Sequence, residues 1–224
     1  MWMRLLIISD IHGRVDLIKK IPEVGNVDVV VFAGDIAPYG AVHRAYEALV
    51  KFVKQLRGSV VVAVPGNMDP AEAYYRAGRE LGIKVVHGDA AVVGDAVFIG
   101  VGGSPPTPFG TITEFTEDEI GEILEKAYSR VRRKRENIVL VSHGPPYGTK
   151  CDIVFTGKHV GSVKVREFIE KHQLVLCVCG HIHESRAVDE LGDRKIVNPG
   201  PLFRGYYAVA RLVGGRAEVE LKRI

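Results

Sequence analysis

Unbroken apolar stretches that end in glycine or a polar residue constrain the fold of this chain more than any other feature. These stretches are rich in valine and isoleucine and show little alternation between apolar and polar residues. Strands that are covered on both faces have this pattern, because neither face meets water. We therefore predict strands at 5–8, 27–33, 60–64, 96–101, 138–141 and 174–178.

Helical patterns lie between some of these strands. Apolar residues recur at helical spacing over 42–56, and Gly58 follows them. The sequence from Thr116 to Glu119 has the form of a capping box and precedes an apolar face over 120–131. Ser162 can cap a third helix. Short strands are predicted after residue 184, at 186–189, 195–197, 206–213 and 217–221, the last two as a hairpin. Together these elements predict a layered α/β sandwich with mixed sheets.

Length and composition are those of a soluble globular protein. The chain has 224 residues, of which 46% are hydrophobic and 25% charged, so we expect a single domain over 1–224. The net charge of +3 does not argue for a nucleic-acid partner, and the basic run at 130–135 is better explained as a solvated helix end. We expect no membrane segment, because no apolar run approaches about 20 residues. Three cysteines and the absence of a charged leader favour the cytoplasm.

A carboxylate and an imidazole directly follow the first predicted strand. Asp10 and His12 are two residues apart, and Gly13 allows the chain to turn away. Side chains at positions i and i+2 of an extended segment share a face. We therefore expect Asp10 and His12 to point at one metal ion.

The later strands end in the same way. Polar residues follow them at Asp35, Asn67, Asp69, His143, His181 and His183. In open α/β sheets, ligands bind outside the carboxyl ends of the strands. Oxygen and imidazole ligands without thiolate suit Mn, Fe, Zn, Ni or Co, with Mn²⁺ our first candidate.

The number of candidate ligands is larger than one tetrahedral ion needs. We therefore predict two divalent ions bridged by Asp35. Two ions about 3.5–4 Å apart can bind a bridging hydroxide, hold a phosphoryl oxygen and stabilise an in-line transition state.

Taken together and in this order, the strand-end motifs resemble the calcineurin-like metallophosphoesterase family. The family pattern is D-x-H, G-D, G-N-[HC]-[DE], H-G and G-H-x-H, and it spans 10–183 here. The resemblance implies an αββα four-layer sandwich of two mixed β-sheets flanked by helices, and hydrolysis of a small phosphoester. One ion would be held by Asp10, His12, Asp35 and His183. The other would be held by Asp35, Asn67, His143 and His181.

The chain departs from the family pattern after Asn67, which we also regard as a substrate-binding residue. Many members have a histidine there that helps to protonate the leaving group, whereas this chain has Met68, whose thioether cannot donate a proton. Small bacterial members with cysteine at this position are phosphodiesterases. His87 and His159 are alternative proton donors, and Asp69 is expected to orient a ligand. Tyr39 lies one residue too late for the tyrosinate ligand of purple acid phosphatases.

Several alternatives stay open at the level of sequence. Each histidine taken alone could be an ordinary core residue, and the loop 102–113 could either border the site or simply connect two elements. The leading function is phosphodiester hydrolysis, with catalysis assigned to Asp35, Asn67, His143 and Asp69. The competing hypotheses are a phosphomonoesterase that acts on a nucleotide or a small phosphoprotein, a catalytically weak scaffold such as the retromer subunit of this fold, and a domain stabilised by metal.

Overall fold

Two six-stranded sheets, each with helices on its outer face, make up the protein. This computed structural model describes residues 2–131 and 137–224. The strands are β1 Trp2–Ile8, β2 Val29–Phe32, β3 Val60–Ala63, β4 Lys84–Val85, β5 Ala90–Val93, β6 Ala96–Val101, β7 Asn137–Ser142, β8 Leu176–Val178, β9 Ala187–Leu191, β10 Arg194–Asn198, β11 Tyr206–Val213 and β12 Arg216–Arg223. The α-helices are α1 Ala45–Gln55, α2 Ala71–Leu81, α3 Glu117–Ser129 and α4 Val163–Lys171, and short 3₁₀ helices span Val15–Lys20, Val42–Arg44 and Leu202–Arg204.

The order of the strands brings several carboxyl ends to one edge of each sheet. The first sheet has the order β12-β11-β1-β2-β3-β4, and β1, β2 and β3 are parallel. The second sheet has the order β5-β6-β7-β8-β10-β9, and β6, β7, β8 and β10 are parallel. Loops that leave neighbouring parallel strands therefore start side by side.

Alternate residues of the central strands enter different cores. In β1, Leu5 and Ile7 pack between the two sheets, where they meet residues such as Val139 of β7. Leu6 and Ile8 face the other way and pack beneath α1 and α2. A third core lies between the second sheet and helices α3 and α4. The unbroken apolar runs arise because both faces of these strands are covered.

The predicted sandwich is confirmed, with two mixed sheets and helices on both outer faces. Thr116 and Glu119 form the expected capping box of α3, and Ser162 Oγ accepts a hydrogen bond from Val165 N at the start of α4. Helix α2 and the short strands β4 and β5 were not part of the prediction. The buried face of α2 consists of only Tyr74 and Ala77, which is too few apolar residues to produce a clear helical period.

Other sequence expectations concern surfaces and thiols. Cys151, Cys177 and Cys179 are buried and unpaired by disulfides, as expected for core residues. Among the described helices, none combines the length and apolar character needed to cross a bilayer. Most of the basic run, at 132–135, lies outside the described residues.

Candidate metal centre

The loops that follow the parallel strands bring the predicted acidic and histidine side chains together. His183 Nε2 lies 3.3 Å from Asp10 Oδ1, and His12 Nε2 lies 3.5 Å from Asp35 Oδ2. His143 Nε2 lies 3.6 Å from the same Asp35 oxygen. Two groups have ligand atoms within 4.8 Å of one another: Asp10, His12 and His183, and Asp10, Asp35 and His143.

Asn67 connects the remaining histidine to this cluster. Its Oδ1 lies 2.8 Å from His143 Nε2 and 3.0 Å from His181 Nδ1. The side chains of all seven predicted ligands therefore meet at one place. Four come from loops of the first sheet and three from loops of the second.

The backbone reaches this arrangement through left-handed conformations. Among the described non-glycine residues, positive φ occurs at Asp10 (53°), His12 (43°), Asp35 (61°), His181 (67°) and Arg57. Our argument that Asp10 and His12 lie on one face of an extended segment is therefore wrong, although the two side chains do converge. Each such conformation costs about 1–3 kcal/mol and persists only where surrounding contacts impose it.

Two glycines allow the loops to approach closely. A Cβ at Gly66 would lie 2.0 Å from Asp35 Oδ1, and a Cβ at Gly180 would lie 1.8 Å from Ser9 Oγ and 2.7 Å from Asp10 Oδ2. All three distances are too short for non-bonded atoms, so any larger residue would displace the Asp35 carboxylate, or Ser9 and the Asp10 carboxylate. The glycines in these motifs are thus required by packing around the cluster.

Hydrogen bonds around His143 and Asn67 direct two acceptor atoms toward each other. His143 Nδ1 lies 2.6 Å from the carbonyl oxygen of Ala33, which can only accept, so Nδ1 carries the proton. In the neutral ring Nε2 then presents a lone pair. Asn67 donates from Nδ2 to Thr111 Oγ1 at 2.9 Å, so its Oδ1 faces this lone pair. When the ring is neutral, these two acceptors at 2.8 Å repel each other, and a cation bound by both atoms would remove the repulsion. The pair therefore fits a metal ion.

His12 and His181 are in the neutral state that metal ligation requires. Burial lowers the pKa of His12 to about 4 and that of His181 to about 3, so both rings are neutral at pH 7. Neither ring nitrogen of His12 has a hydrogen-bond partner, although both are buried. An unpartnered buried nitrogen is costly, and coordination of a metal would satisfy it.

The carboxylates create a strongly negative environment. Burial, together with the charges of Asp69 and Asp10, raises the pKa of Asp35 well above its ordinary value. Burial also raises the pKa of Asp10, but the hydrogen bond and charge of His183 outweigh this effect, and the net shift is downward. The pKa of His183 is raised, because its contact with Asp10 outweighs burial. A bound cation would relieve the repulsion between Asp10 and Asp35.

Asp69 holds the loops after β2 and β3 together. Its Oδ2 accepts hydrogen bonds from Asp35 N (2.7 Å), Ile36 N (3.2 Å), Gly66 N (2.9 Å) and Tyr74 Oη (2.6 Å). Its Oδ1 accepts a hydrogen bond from Ala37 N at 2.9 Å. Five protein donors therefore bind the two oxygens of this carboxylate, which agrees with an orienting role for Asp69.

The alternative proton donors make contacts elsewhere. His87 Nδ1 accepts a hydrogen bond from Gly102 N at 2.8 Å, and the His87 ring stacks on Phe115. His159 Nδ1 pairs with Asp152 Oδ1 at 2.7 Å. These contacts do not involve the histidine and carboxylate cluster.

Sequence reasoning missed several residues that contact the cluster. Thr111 and Glu114 lie in and beside the loop 102–113, and Thr111 binds Asn67, so this loop borders the site. Tyr39 and Phe203 pack their rings against His12. Thr111, Glu114 and Tyr39 lie outside the helices and strands, and Phe203 lies in a 3₁₀ helix of only three residues, so hydrophobic periodicity carries no signal at any of them.

Comparisons with known proteins agree with this fold. Residues 3–185 match the sequence model of the calcineurin-like phosphoesterases. An uncharacterized protein of Methanocaldococcus jannaschii is 37% identical over 207 residues, which cover 89% of each chain. A crystal structure from Thermus thermophilus is 19% identical with a TM-score of 0.72, covering 98% of this chain and 99% of that one. The NAD nucleotidase of Haemophilus influenzae is 12% identical with a TM-score of 0.60, and the match covers all of this chain but 49% of that protein.

Proposed function

The chain belongs to the calcineurin-like phosphoesterase family, and on this basis we propose that it is a two-metal phosphodiesterase acting on a small substrate. The observation that carries the proposal is the convergence of seven potential ligands, with the acceptor atoms of His143 and Asn67 facing each other at 2.8 Å. We assign one ion to Asp10, His12, Asp35 and His183. We assign the second ion to Asp35, Asn67, His143 and His181.

Two distances support Asp35 as the residue that the two proposed ligand sets share. One oxygen, Oδ2, lies 3.5 Å from His12 Nε2 and 3.6 Å from His143 Nε2, which belong to the two different ligand sets. Its other oxygen accepts a hydrogen bond from Met68 N at 2.9 Å and is thereby oriented. Divalent ions bound by these residues would supply a nucleophile at neutral pH and positive charge beside the phosphoryl oxygens.

The protein itself contributes orientation and a fixed protonation state. Ala33 holds His143 in one tautomer, and burial keeps His12 and His181 neutral. Asp69 fixes the backbone of Asp35 through its amide. Ligands that are oriented in advance require little rearrangement during the reaction, which is a large part of catalytic power in such sites.

Met68 supports a preference for substrates with good leaving groups. It follows Asn67 at the position where many family members have a proton-donating histidine, and a thioether has no proton to give. A leaving group that departs as a stable anion needs no such donor. We therefore expect activated diesters to be hydrolysed faster than alkyl diesters.

The test is to compare bis-p-nitrophenyl phosphate with p-nitrophenyl phosphate, using protein stripped of metal and reloaded with Mn²⁺, Fe²⁺, Co²⁺, Ni²⁺, Zn²⁺ or Mg²⁺. Metal-dependent turnover that favours the diester is the expected result. Faster turnover of the monoester would replace the proposal with a phosphomonoesterase. Protein that binds two ions and hydrolyses neither ester would support the scaffold hypothesis.

A further inference from the structure

Two aromatic rings lie against the proposed metal ligands and remain partly open to solvent. The Tyr39 ring stacks on the His12 ring with 4.1 Å between centroids and 15° between planes, yet 58% of Tyr39 is exposed. The Phe203 ring meets His12 edge-on at 5.6 Å and His183 at 5.2 Å. Phe203 is also edge-on to Tyr39 at 6.5 Å. We call Tyr39 and Phe203 the aromatic pair.

The position of the aromatic pair favours a ligand group with a planar face. One face of Tyr39 is occupied by His12, and much of the remaining ring surface is open. Exposed aromatic rings beside a polar site offer stacking surface, and stacking tolerates any base because every base has a π face. The Arg204 guanidinium lies 5.4 Å from the Phe203 ring and adds positive charge on this side.

From this geometry we infer that the aromatic pair is a subsite for a planar aromatic group attached to the phosphoryl group, so that the preferred substrates are esters of nucleosides. The inference rests on the proposed function. It adds that specificity is set beside His12 and His183, through the part of the substrate that does not react. The ring of Tyr39 supplies the stacking surface, and its hydroxyl is not required.

Adenosine 5′-monophosphate and ribose 5-phosphate test this inference, because they share the sugar and the phosphate and differ in the base. Titration calorimetry on the Mn²⁺-loaded protein should show tighter binding of the nucleotide by about 5- to 100-fold, as expected for stacking of one base. Tyr39→Leu should reduce this ratio to near one, whereas Tyr39→Phe should preserve it. Tyr75→Leu, at a half-exposed tyrosine of α2, is the matched control and should leave the ratio unchanged.

The ratio of the two affinities distinguishes a loss of base stacking from general damage to the metal site. A loss of metal or a shifted His12 would weaken both ligands together and leave their ratio unchanged. Equal affinity of the wild-type protein for both ligands, or a ratio that survives in Tyr39→Leu, would overturn the subsite. Failure of the proposed function would instead appear as absent turnover of bis-p-nitrophenyl phosphate, which does not depend on this ratio.

A second inference arises from the hydrogen bonds behind Asn67. Asn67 Nδ2 donates to Thr111 Oγ1 at 2.9 Å, and Thr111 Oγ1 donates to Glu114 Oε1 at 2.6 Å. The same oxygen of Glu114 accepts hydrogen bonds from Thr107 Oγ1 (2.6 Å) and Thr111 N (2.8 Å). These bonds lower the pKa of Glu114 to about 2, so the group is an ionised carboxylate that only accepts.

This chain of bonds has one direction. Glu114 accepts a hydrogen bond from the Thr111 hydroxyl group. The hydroxyl oxygen is therefore free to accept a hydrogen bond from the Asn67 amide. The amide nitrogen is thereby turned outward, and the amide oxygen is turned toward His143 and His181. The geometry points to Thr111 and Glu114 as positioning residues that orient Asn67 for metal binding. This second inference rests on the assignment of Asn67 as a ligand.

Substitutions at Thr111 test the positioning role by metal binding. Thr111→Val keeps the shape and removes the hydroxyl, and it should weaken the affinity for one of two Mn²⁺ ions by about 10- to 100-fold, as is typical for groups that orient ligands. Thr111→Ser restores the hydroxyl and should restore the affinity. All three hydrogen bonds reach one oxygen of Glu114, which glutamine would keep, so the informative variant is Glu114→Leu. It removes the acceptor and should behave like Thr111→Val.

The spectroscopic readout and the control make the outcome specific. Electron paramagnetic resonance should show a coupled Mn²⁺ pair in wild type and in Thr111→Ser, and a mononuclear signal in Thr111→Val at limiting metal. Glu119→Leu, which breaks the capping box of α3, is the control and should lower stability without changing metal affinity. Wild-type affinities in Thr111→Val, or a Thr111→Ser variant as impaired as Thr111→Val, would contradict the assignment.

Discussion

Replacing Asp69 with asparagine should loosen the loops that carry Asp35 and Asn67. The carboxylate accepts hydrogen bonds from four backbone amides and from Tyr74, and the residue is fully buried. Asparagine has nearly the same shape but can accept with only one of its two terminal atoms. The perturbation therefore changes hydrogen bonding and charge without leaving a cavity.

The cost can be estimated from these contacts. The least costly orientation puts the new amide nitrogen where Oδ1 binds Ala37 N, so one charge-assisted bond is lost and two buried donors face each other. Losing such a bond costs about 1.5–3 kcal/mol, and an unsatisfied buried donor costs about 1–3 kcal/mol. Relief of the repulsion that raises the pKa of Asp35 offsets part of this. We expect the free energy of unfolding to fall by about 3 kcal/mol, which lowers the melting temperature by roughly 6–12 °C.

Urea unfolding of metal-stripped protein is the appropriate assay, because bound metal would stabilise both proteins by mass action. Tyr74→Phe removes only one of the five donors and should cost about 1 kcal/mol. An Asp69→Asn variant within about 1 kcal/mol of wild type would refute the reasoning. It would mean that other contacts fix the two loops.

Three further predictions concern the metal centre and a buried histidine. Asp35→Asn and His181→Ala should each abolish turnover with the circular dichroism spectrum unchanged, and near-normal rates after reloading with Mn²⁺ would contradict the two-metal assignment. Removing metal with a chelator should lower the melting temperature, because an ion at about 100 times its Kd stabilises the folded protein by about 2.7 kcal/mol. An unchanged melting temperature in protein shown to have lost its metal would count against the site. Burial, with a smaller effect of Lys126, lowers the pKa of His87 from 6.5 to about 4. As the pH falls, His87 is therefore protonated in the unfolded chain before it is protonated in the folded one, and the free energy of unfolding decreases as the pH drops from 6.5 through 4. In His87→Gln the loss of unfolding free energy between pH 7 and pH 4 should be smaller by up to about 3 kcal/mol, and equal pH dependence would contradict this.

The strands, and the polar residues that follow them, were predictable because each carries a strong local signal. Runs such as 60–64 are apolar on both faces, and the polar residue that ends each run is conspicuous against them. Their convergence follows from the rule that parallel strands present their carboxyl ends at one edge. The local conformation was not predictable in the same way: Asp10 and His12 have left-handed backbones that close contacts impose, and no sequence period encodes them.

The residues that orient the ligands were beyond sequence reasoning for a different reason. Thr111 meets Asn67 only because the loop after β6 crosses the loop after β3, with Thr113 N donating to Asn67 O at 3.0 Å. Tyr39 likewise reaches His12 through a loop contact. Such contacts depend on how irregular segments pack in three dimensions. In the sequence, a loop threonine or tyrosine that reaches the site cannot be distinguished from one that does not.

The division of the candidate ligands between two sheets has a consequence for how the protein loses function. Asp10 and Asn67 belong to loops of one sheet, and His143 and His181 belong to loops of the other, with the core around Ile7 and Val139 between them. Metal affinity should therefore depend on how well the two sheets pack against each other, because this packing sets the distances between the two groups of ligands. A destabilising substitution in that core, far from any ligand, should weaken metal binding under conditions in which the protein is still folded.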